Sequence, residues 1–193
     1  MYFSKSAFYI ALISSGIIFN PTAMAQAIES IENKYYEISP RAPYEIKQEL
    51  MRQSPIRGGS GSYNGHTDWY INWSFQAIRE LYGCQATQIQ TRVHVVHILP
   101  SLSARVTDPQ TIEAFNKFNA ALTAHEKNHG SNGRLAAREI DKALNEVQPQ
   151  RDCQSLSRVI NNIGNHLVQK YTAKDNEYDR TTNNGFTEGA VIY

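Results

Sequence analysis

From Ile112 onward the sequence places an apolar or histidine residue every three or four positions: Ile112, Phe115, Phe118, Leu122, His125, His129, Ala136, Ile140 and Leu144, with one longer step across Asn132 and Gly133. That period belongs to an α-helix burying one stripe, and a helix of such length needs a sheet or other helices laid against it. Asp108-Pro109 supplies a start: the aspartate can accept from free backbone N–H groups, and proline at the first helical position forfeits no hydrogen bond. Gly130 and Gly133 could end this helix or loosen it, and Leu135 to Val147 is expected to resume as helix until Pro149 breaks it. Two histidines therefore lie within a stripe that should face the core.

Before that helix the period becomes two. Trp69, Ile71, Trp73 and Phe75 face one way and Tyr70, Asn72 and Ser74 the other, a half-buried strand beginning at Thr67. A second strand, about Thr87 to Leu99, alternates Ile89, Thr91, Val93, Val95 and Leu99 against Gln90, Arg92 and His94 until Pro100 stops it. The two should pair. Tyr35-Tyr36-Glu37-Ile38 is a shorter strand ended by Ser39-Pro40; Pro43 opens a short helix carrying Tyr44, Ile46, Leu50 and Met51; Pro55 and Gly58-Gly59-Ser60-Gly61 make a loop. A last helix is expected from about Asp152 to Tyr171, burying Leu156, Ile160, Ile163, Leu167 and Tyr171. Beyond it, Tyr178 to Gly185 is rich in turn formers, and Ala190 to Tyr193 could dock as a strand. The expected fold is α+β, with a small, mainly antiparallel sheet packed on the long histidine-bearing helix and a C-terminal helix.

Residues 1–25 read as an export signal: Lys5, an apolar run from Ala7 to Phe19, Pro21, and Ala23-Met24-Ala25 as a cleavage site before Gln26. That run is too short to span a bilayer comfortably, and no later segment is long and apolar enough. The expectation is one exported domain, residues 26–193, in the periplasm or secreted. An even pair of cysteines in an oxidising compartment then reads as a disulfide, Cys84 to Cys153. The net charge is +1 with Lys and Arg scattered, so neither a nucleic-acid surface nor an anionic-membrane surface is indicated. Oligomeric state is left open.

His125-Glu126-Lys127-Asn128-His129 carries the chemistry. Histidines four apart on a helix share a face, so both imidazoles can reach one ion at about 2.0–2.1 Å. Glu126 then lies beside the ion, placed to hold and deprotonate a water, as in zincins. A third ligand is required, and several residues are candidates. Asn132 and Leu135 stand where a metzincin has glycine and histidine, which excludes that class. Glu139, Asp141 and Glu146 have charged neighbours and read as a solvated face; His166 lies beside the apolar face of the last helix; Asp179 sits in a polar loop able to fold back. His66, His94 and His97 read as strand or loop residues.

The succession Thr67-x-Trp69-x-Ile71-x-Trp73, Cys84, the strand ending Leu99-Pro100, His125-Glu126-x-x-His129, Cys153 and Tyr178-Asp179 resembles an uncharacterised bacterial family described as predicted secreted Zn-dependent proteases. The resemblance covers nearly all of the mature chain and implies export, one domain and a zinc peptidase. Members carry an aromatic-Asp pair near the C-terminus, often followed by Thr-x-His-Gly, whereas this chain reads Thr182-Asn183-Asn184-Gly185. Asn184 is a poor zinc ligand, so the departure points to Asp179 as the third, a His₂Asp site with water in the open position. The implied reaction is hydrolysis of a peptide or protein, with Zn²⁺ polarising the carbonyl, Glu126 activating the water and Tyr178 or His66 supporting the oxyanion. The strand Thr67 to Phe75 would hold the peptide at the sheet edge. The other reading is an exported binding or assembly module with a structural or vestigial metal site, recognising its partner through the Trp- and Tyr-rich strand.

Overall fold

A computed structural model describes residues 26–58 and 61–193, so the export signal expected at residues 1–25 lies outside the described residues. The elements in chain order are β1 (Ile28–Ile38), α1 (Ile46–Gln53), the two-residue pair β2 (Arg57–Gly58) and β3 (Gly61–Ser62), β4 (His66–Glu80), β5 (Gly83–Leu102), α2 (Pro109–Asn145) and α3 (Cys153–Thr182).

The strand β5 is the centre of a three-stranded sheet of order β1-β5-β4. It pairs antiparallel with β4, setting Trp69 opposite Val95 and Trp73 opposite Thr91, as the alternation of both segments predicts. On its other side β1 runs parallel, from Ile28 opposite Arg92 to Ile38 opposite Leu102. The sheet is therefore mixed rather than mainly antiparallel. The cause is the length of β1, which starts ten residues before Ile38. Most of its residues are exposed at the sheet's edge, and an edge strand needs no apolar alternation to be held by its ladder.

The apolar face of β4 and β5 is covered by α2 and α3, and glycines set the spacing. A Cβ on Gly133 would stand 2.5 Å from Trp69 Cγ, one on Gly130 2.7 Å from His97 Cε1, and one on Gly164 2.4 Å from Trp73 Cζ2. Gly130 and Gly133 neither end α2 nor interrupt its 37 residues. Each costs about 1 kcal/mol of helix propensity relative to alanine, and each opens the groove into which a sheet side chain fits. Asp108 caps α2 as expected, accepting from the Thr111 N–H at 2.9 Å.

Helix α3 continues to Thr182, well beyond Tyr171, so Tyr178 and Asp179 stand on a helix and not in a loop. Its last turns carry Thr172, Asp175, Asp179 and Thr182 instead of apolar residues, which erases the hydrophobic period without removing the helix. The chain end Ala190–Tyr193 is not a strand; Ala190 and Ile192 pack on the apolar cluster of Ile38, Ile46, Leu50, Leu99, Phe115, Phe118 and Leu122. Among the described residues no helix is long and apolar enough to cross a membrane.

Cys84 and Cys153 form the expected disulfide, joining the start of β5 to the first turn of α3 beside a backbone bridge between Cys84 and Gln150. It is compatible with an exported protein. The bridge spans a sequence separation of 69, for which loop-closure entropy gives about 4 kcal/mol. The Cys84→Ala/Cys153→Ala double variant should therefore melt about 8–16 °C below the oxidised protein. Circular dichroism melts of the two proteins, with reductant as a third sample, would refute this estimate if all three coincided.

Candidate metal centre

His125 and His129, one turn apart on the buried face of α2, look across at Asp175 and Asp179, one turn apart on α3. The His125 Nε2 lies 3.1 Å and the His129 Nε2 3.0 Å from Asp179 Oδ1, and the two Nε2 atoms are 3.2 Å apart. These three atoms form a nearly equilateral triangle. A tetrahedral ion with ligands at about 2.0–2.1 Å has donor–donor edges of about 3.3 Å, so the triangle matches one face of such a shell within a few tenths of an ångström. The donor chemistry also fits, because two imidazole lone pairs and a carboxylate oxygen converge on one point.

The far nitrogens of both rings meet carboxylates. His125 Nδ1 is 2.8 Å from Glu188 Oε2, and the Tyr178 ring stacks on the same imidazole with centroids 4.8 Å apart. His129 Nδ1 lies 3.3 Å from Asp175 Oδ1, while the Asp175 carboxylate accepts from Trp69 Nε1 and Asn132 Nδ2, both at 2.6 Å. Burial by itself would lower the His129 pKa, but the hydrogen bond it donates to Asp175 and the negative charges of Asp179, Asp175 and Glu126 outweigh it and hold the pKa above its ordinary value. The surroundings favour positive charge.

Glu126, 5 % exposed, points its carboxylate towards β4, where the Thr67 hydroxyl donates to Oε2 at 2.7 Å. The same hydroxyl oxygen is 2.8 Å from His97 Nδ1, so the imidazole buried beneath Gly130 backs the threonine. Burial pushes the Glu126 pKa up, with the Thr67 hydrogen bond and the neighbouring imidazoles opposing it. A cleft of about 740 Å³ between α2, α3, the start of β4 and residues 56–57 and 62–65 opens over Glu126, His125, His129 and Asp179.

The structure gathers His125, Glu126, His129 and Asp179, with Tyr178 stacked on His125, and it leaves the other third-ligand candidates outside the donor triangle. Asn184 lines the cleft but lies outside the donor triangle. His166 is exposed on α3, and Glu139 binds Lys170 and Tyr171. His66 lines the cleft with its ring 3.2 Å from the Asp68 carboxylate. The Tyr178 hydroxyl donates to Glu188 at 2.9 Å and accepts from Asn128 Nδ2 at 2.7 Å. Asp175, Glu188, Thr67 and His97 are partners that periodicity did not reveal. The one legible signal was the Asp175/Asp179 spacing of four, which repeats that of His125/His129 once α3 is known to extend so far.

Residues 33–186 match a family described as a bacterial protein of unknown function (DUF922). The chain belongs to this family. The matched span runs from within β1 through α3 and holds all three donors of the triangle, while Glu188 lies beyond its end. No curated protein matches the chain, and no solved structure matches it. What the comparison shows is membership of a bacterial family of unknown function, so an activity has to be argued from the site.

The raised Glu126 pKa carries a stability consequence. A carboxyl whose folded pKa exceeds its unfolded one weakens the fold once ionised, so the penalty is full above the folded value and gone below the unfolded one. Glu126→Gln should therefore stabilise chelator-treated protein at pH 7, with the advantage shrinking as pH falls towards 4. Urea unfolding at both pH values checks this, and equal or lower stability of the variant at pH 7 would contradict it.

Proposed function

We propose that the protein is an exported zinc-dependent peptidase in which His125, His129 and Asp179 hold the ion and Glu126 is the general base. The observation that carries this reading is the 3.0–3.2 Å donor triangle with the Glu126 carboxylate beside it in the same cleft. Zinc suits the donor set, since two imidazoles, one carboxylate and an open fourth position make the arrangement of catalytic rather than structural zinc. When bound, the ion would supply Lewis acidity towards a carbonyl and acidify water.

The protein's own groups do the remaining work. Glu126 is buried, burial raises its pKa above the ordinary carboxylate value and its carboxylate is anchored by the Thr67 hydroxyl, which suits it to take a proton from water and return it to the leaving amine. Thr67, next to the donors, lies in β4, which has an open edge in the sheet order β1-β5-β4. His66, Thr67, Asp68 and Trp69 line the cleft, so an extended peptide added to that edge would pass over the donor triangle. Between the two residues expected to support an oxyanion, His66 is the better placed, because the Tyr178 hydroxyl is engaged by Glu188 and Asn128. The export assignment rests on the sequence of residues 1–25.

Metal analysis of the mature protein dialysed against limiting zinc should return about one zinc per chain, falling to background in His129→Ala; equal zinc in both would sink the metal site. Glu126→Gln should keep its zinc and lose about 10²–10⁴-fold in hydrolysis of an unfolded protein substrate. Zinc retained with cleavage unaltered would remove Glu126 from the mechanism, and no cleavage by the unaltered zinc-loaded protein against any peptide library would favour a binding module.

A further inference from the structure

The chain's own end closes the side of the donor triangle behind His125. After α3, Asn183, Asn184 and Gly185 adopt φ of 51°, 52° and 80°, three left-handed residues in succession that turn the chain back onto α2. Gly185 lies against the His125 ring: a Cβ there would stand 3.0 Å from Cγ and 3.2 Å from Nδ1, tighter than most real Cβ contacts, and the φ of 80° adds strain for any other residue, so both favour glycine. The fold-back is then locked. The Ala190 N–H donates to the Gly185 carbonyl at 3.0 Å, and Ala190 and Ile192 pack on the cluster containing Leu122 and Phe118.

Inside this turn Glu188 reaches His125 Nδ1 at 2.8 Å, and the Tyr178 hydroxyl donates to the same carboxylate while the Tyr178 ring stacks on the same imidazole. We propose that Glu188 is a positioning residue for the metal ligand His125, which makes the segment from Gly185 to Tyr193 a working part of the metal site. This rests on the zinc reading above. An imidazole has two nitrogens and can offer only one lone pair when neutral; with the Nδ1 proton donated to Glu188, the lone pair sits on Nε2 and faces Asp179 and His129. Tyr178 fixes the ring plane by stacking and holds the carboxylate by its hydroxyl. The other ligand is served less closely, since His129 Nδ1 is 3.3 Å from an Asp175 already engaged by Trp69 and Asn132. Glu188 lies two residues beyond the span 33–186 matched by the family model.

The test is zinc affinity of the full mature chain, read by competition with a chromophoric chelator, for unaltered protein, Glu188→Ala, Glu188→Met and Glu188→Gln. Alanine and methionine, the latter of similar length but with no acceptor oxygen, should each weaken zinc binding about 10–100-fold. Glutamine keeps an acceptor for the Nδ1 proton and should recover most of that loss. Melting curves in chelator should be nearly the same for all four, and the zinc-loaded unaltered protein should show a slowly exchanging His125 Nδ1 proton by NMR that methionine abolishes. Affinity unchanged in both alanine and methionine variants, in a protein that does bind zinc, would overturn this inference alone. Glutamine as impaired as alanine would overturn positioning in favour of bulk charge. Absence of zinc binding in the unaltered protein would overturn the metal reading and this inference with it.

Discussion

Four carboxylates, from Glu126, Asp175, Asp179 and Glu188, converge on two buried imidazoles at the junction of α2 and α3. Such a gathering is costly unless each group finds donors or a shared cation. The fold provides the donors one by one: Thr67 for Glu126, Trp69 and Asn132 for Asp175, Tyr178 for Glu188. Among the described residues, the side chains that meet Asp179 Oδ1 are the imidazoles themselves, at the point where an ion would sit. The polarity of the site and its fitness to hold a cation are one property seen from two sides.

That arrangement needs two helices and a sheet held closer than ordinary side chains permit. Gly130 and Gly133 lower α2 onto His97 and Trp69, and Gly164 lowers α3 onto Trp73. Trp69 links the approach to the chemistry, since its ring fills the Gly133 groove while its indole N–H anchors Asp175. The disulfide fastens the far end of α3 to β5, so both ends of that helix are tied, one covalently and the other through the turn that delivers Glu188. Packing and the candidate site are therefore not separable here: Trp69, which fills the Gly133 groove, also anchors the carboxylate beside the groups that could hold an ion.

Much of the fold was legible because burial leaves a period. The stripe of α2, the alternation of β4 and β5 and the first part of α3 were all marked by apolar residues facing one way. Legibility failed where an element's stability comes from elsewhere. The polar residues of β1 are held by the parallel ladder to β5, and the last three turns of α3 present partly exposed polar groups such as Asp175 and Asp179 to α2, so neither shows a hydrophobic rhythm. Family membership does not repair these gaps, since it attaches the chain to bacterial proteins of unknown function without assigning a role to any residue.

By itself the sequence determined everything local about the site: the spacing of four between His125 and His129, Glu126 between them, a capped helix to carry them and an even cysteine pair. It also singled out Asp179, by the resemblance and by the asparagine at position 184. What only the tertiary structure decided is which groups meet across elements: Asp179 with both imidazoles, Thr67 and His97 behind Glu126, Glu188 behind His125. Local spacing follows from helical geometry, which short-range sequence encodes; the meeting of residues 30 to 63 positions apart depends on how the sheet packs against α2, how far α3 extends and how the chain turns after it, and those are settled by packing.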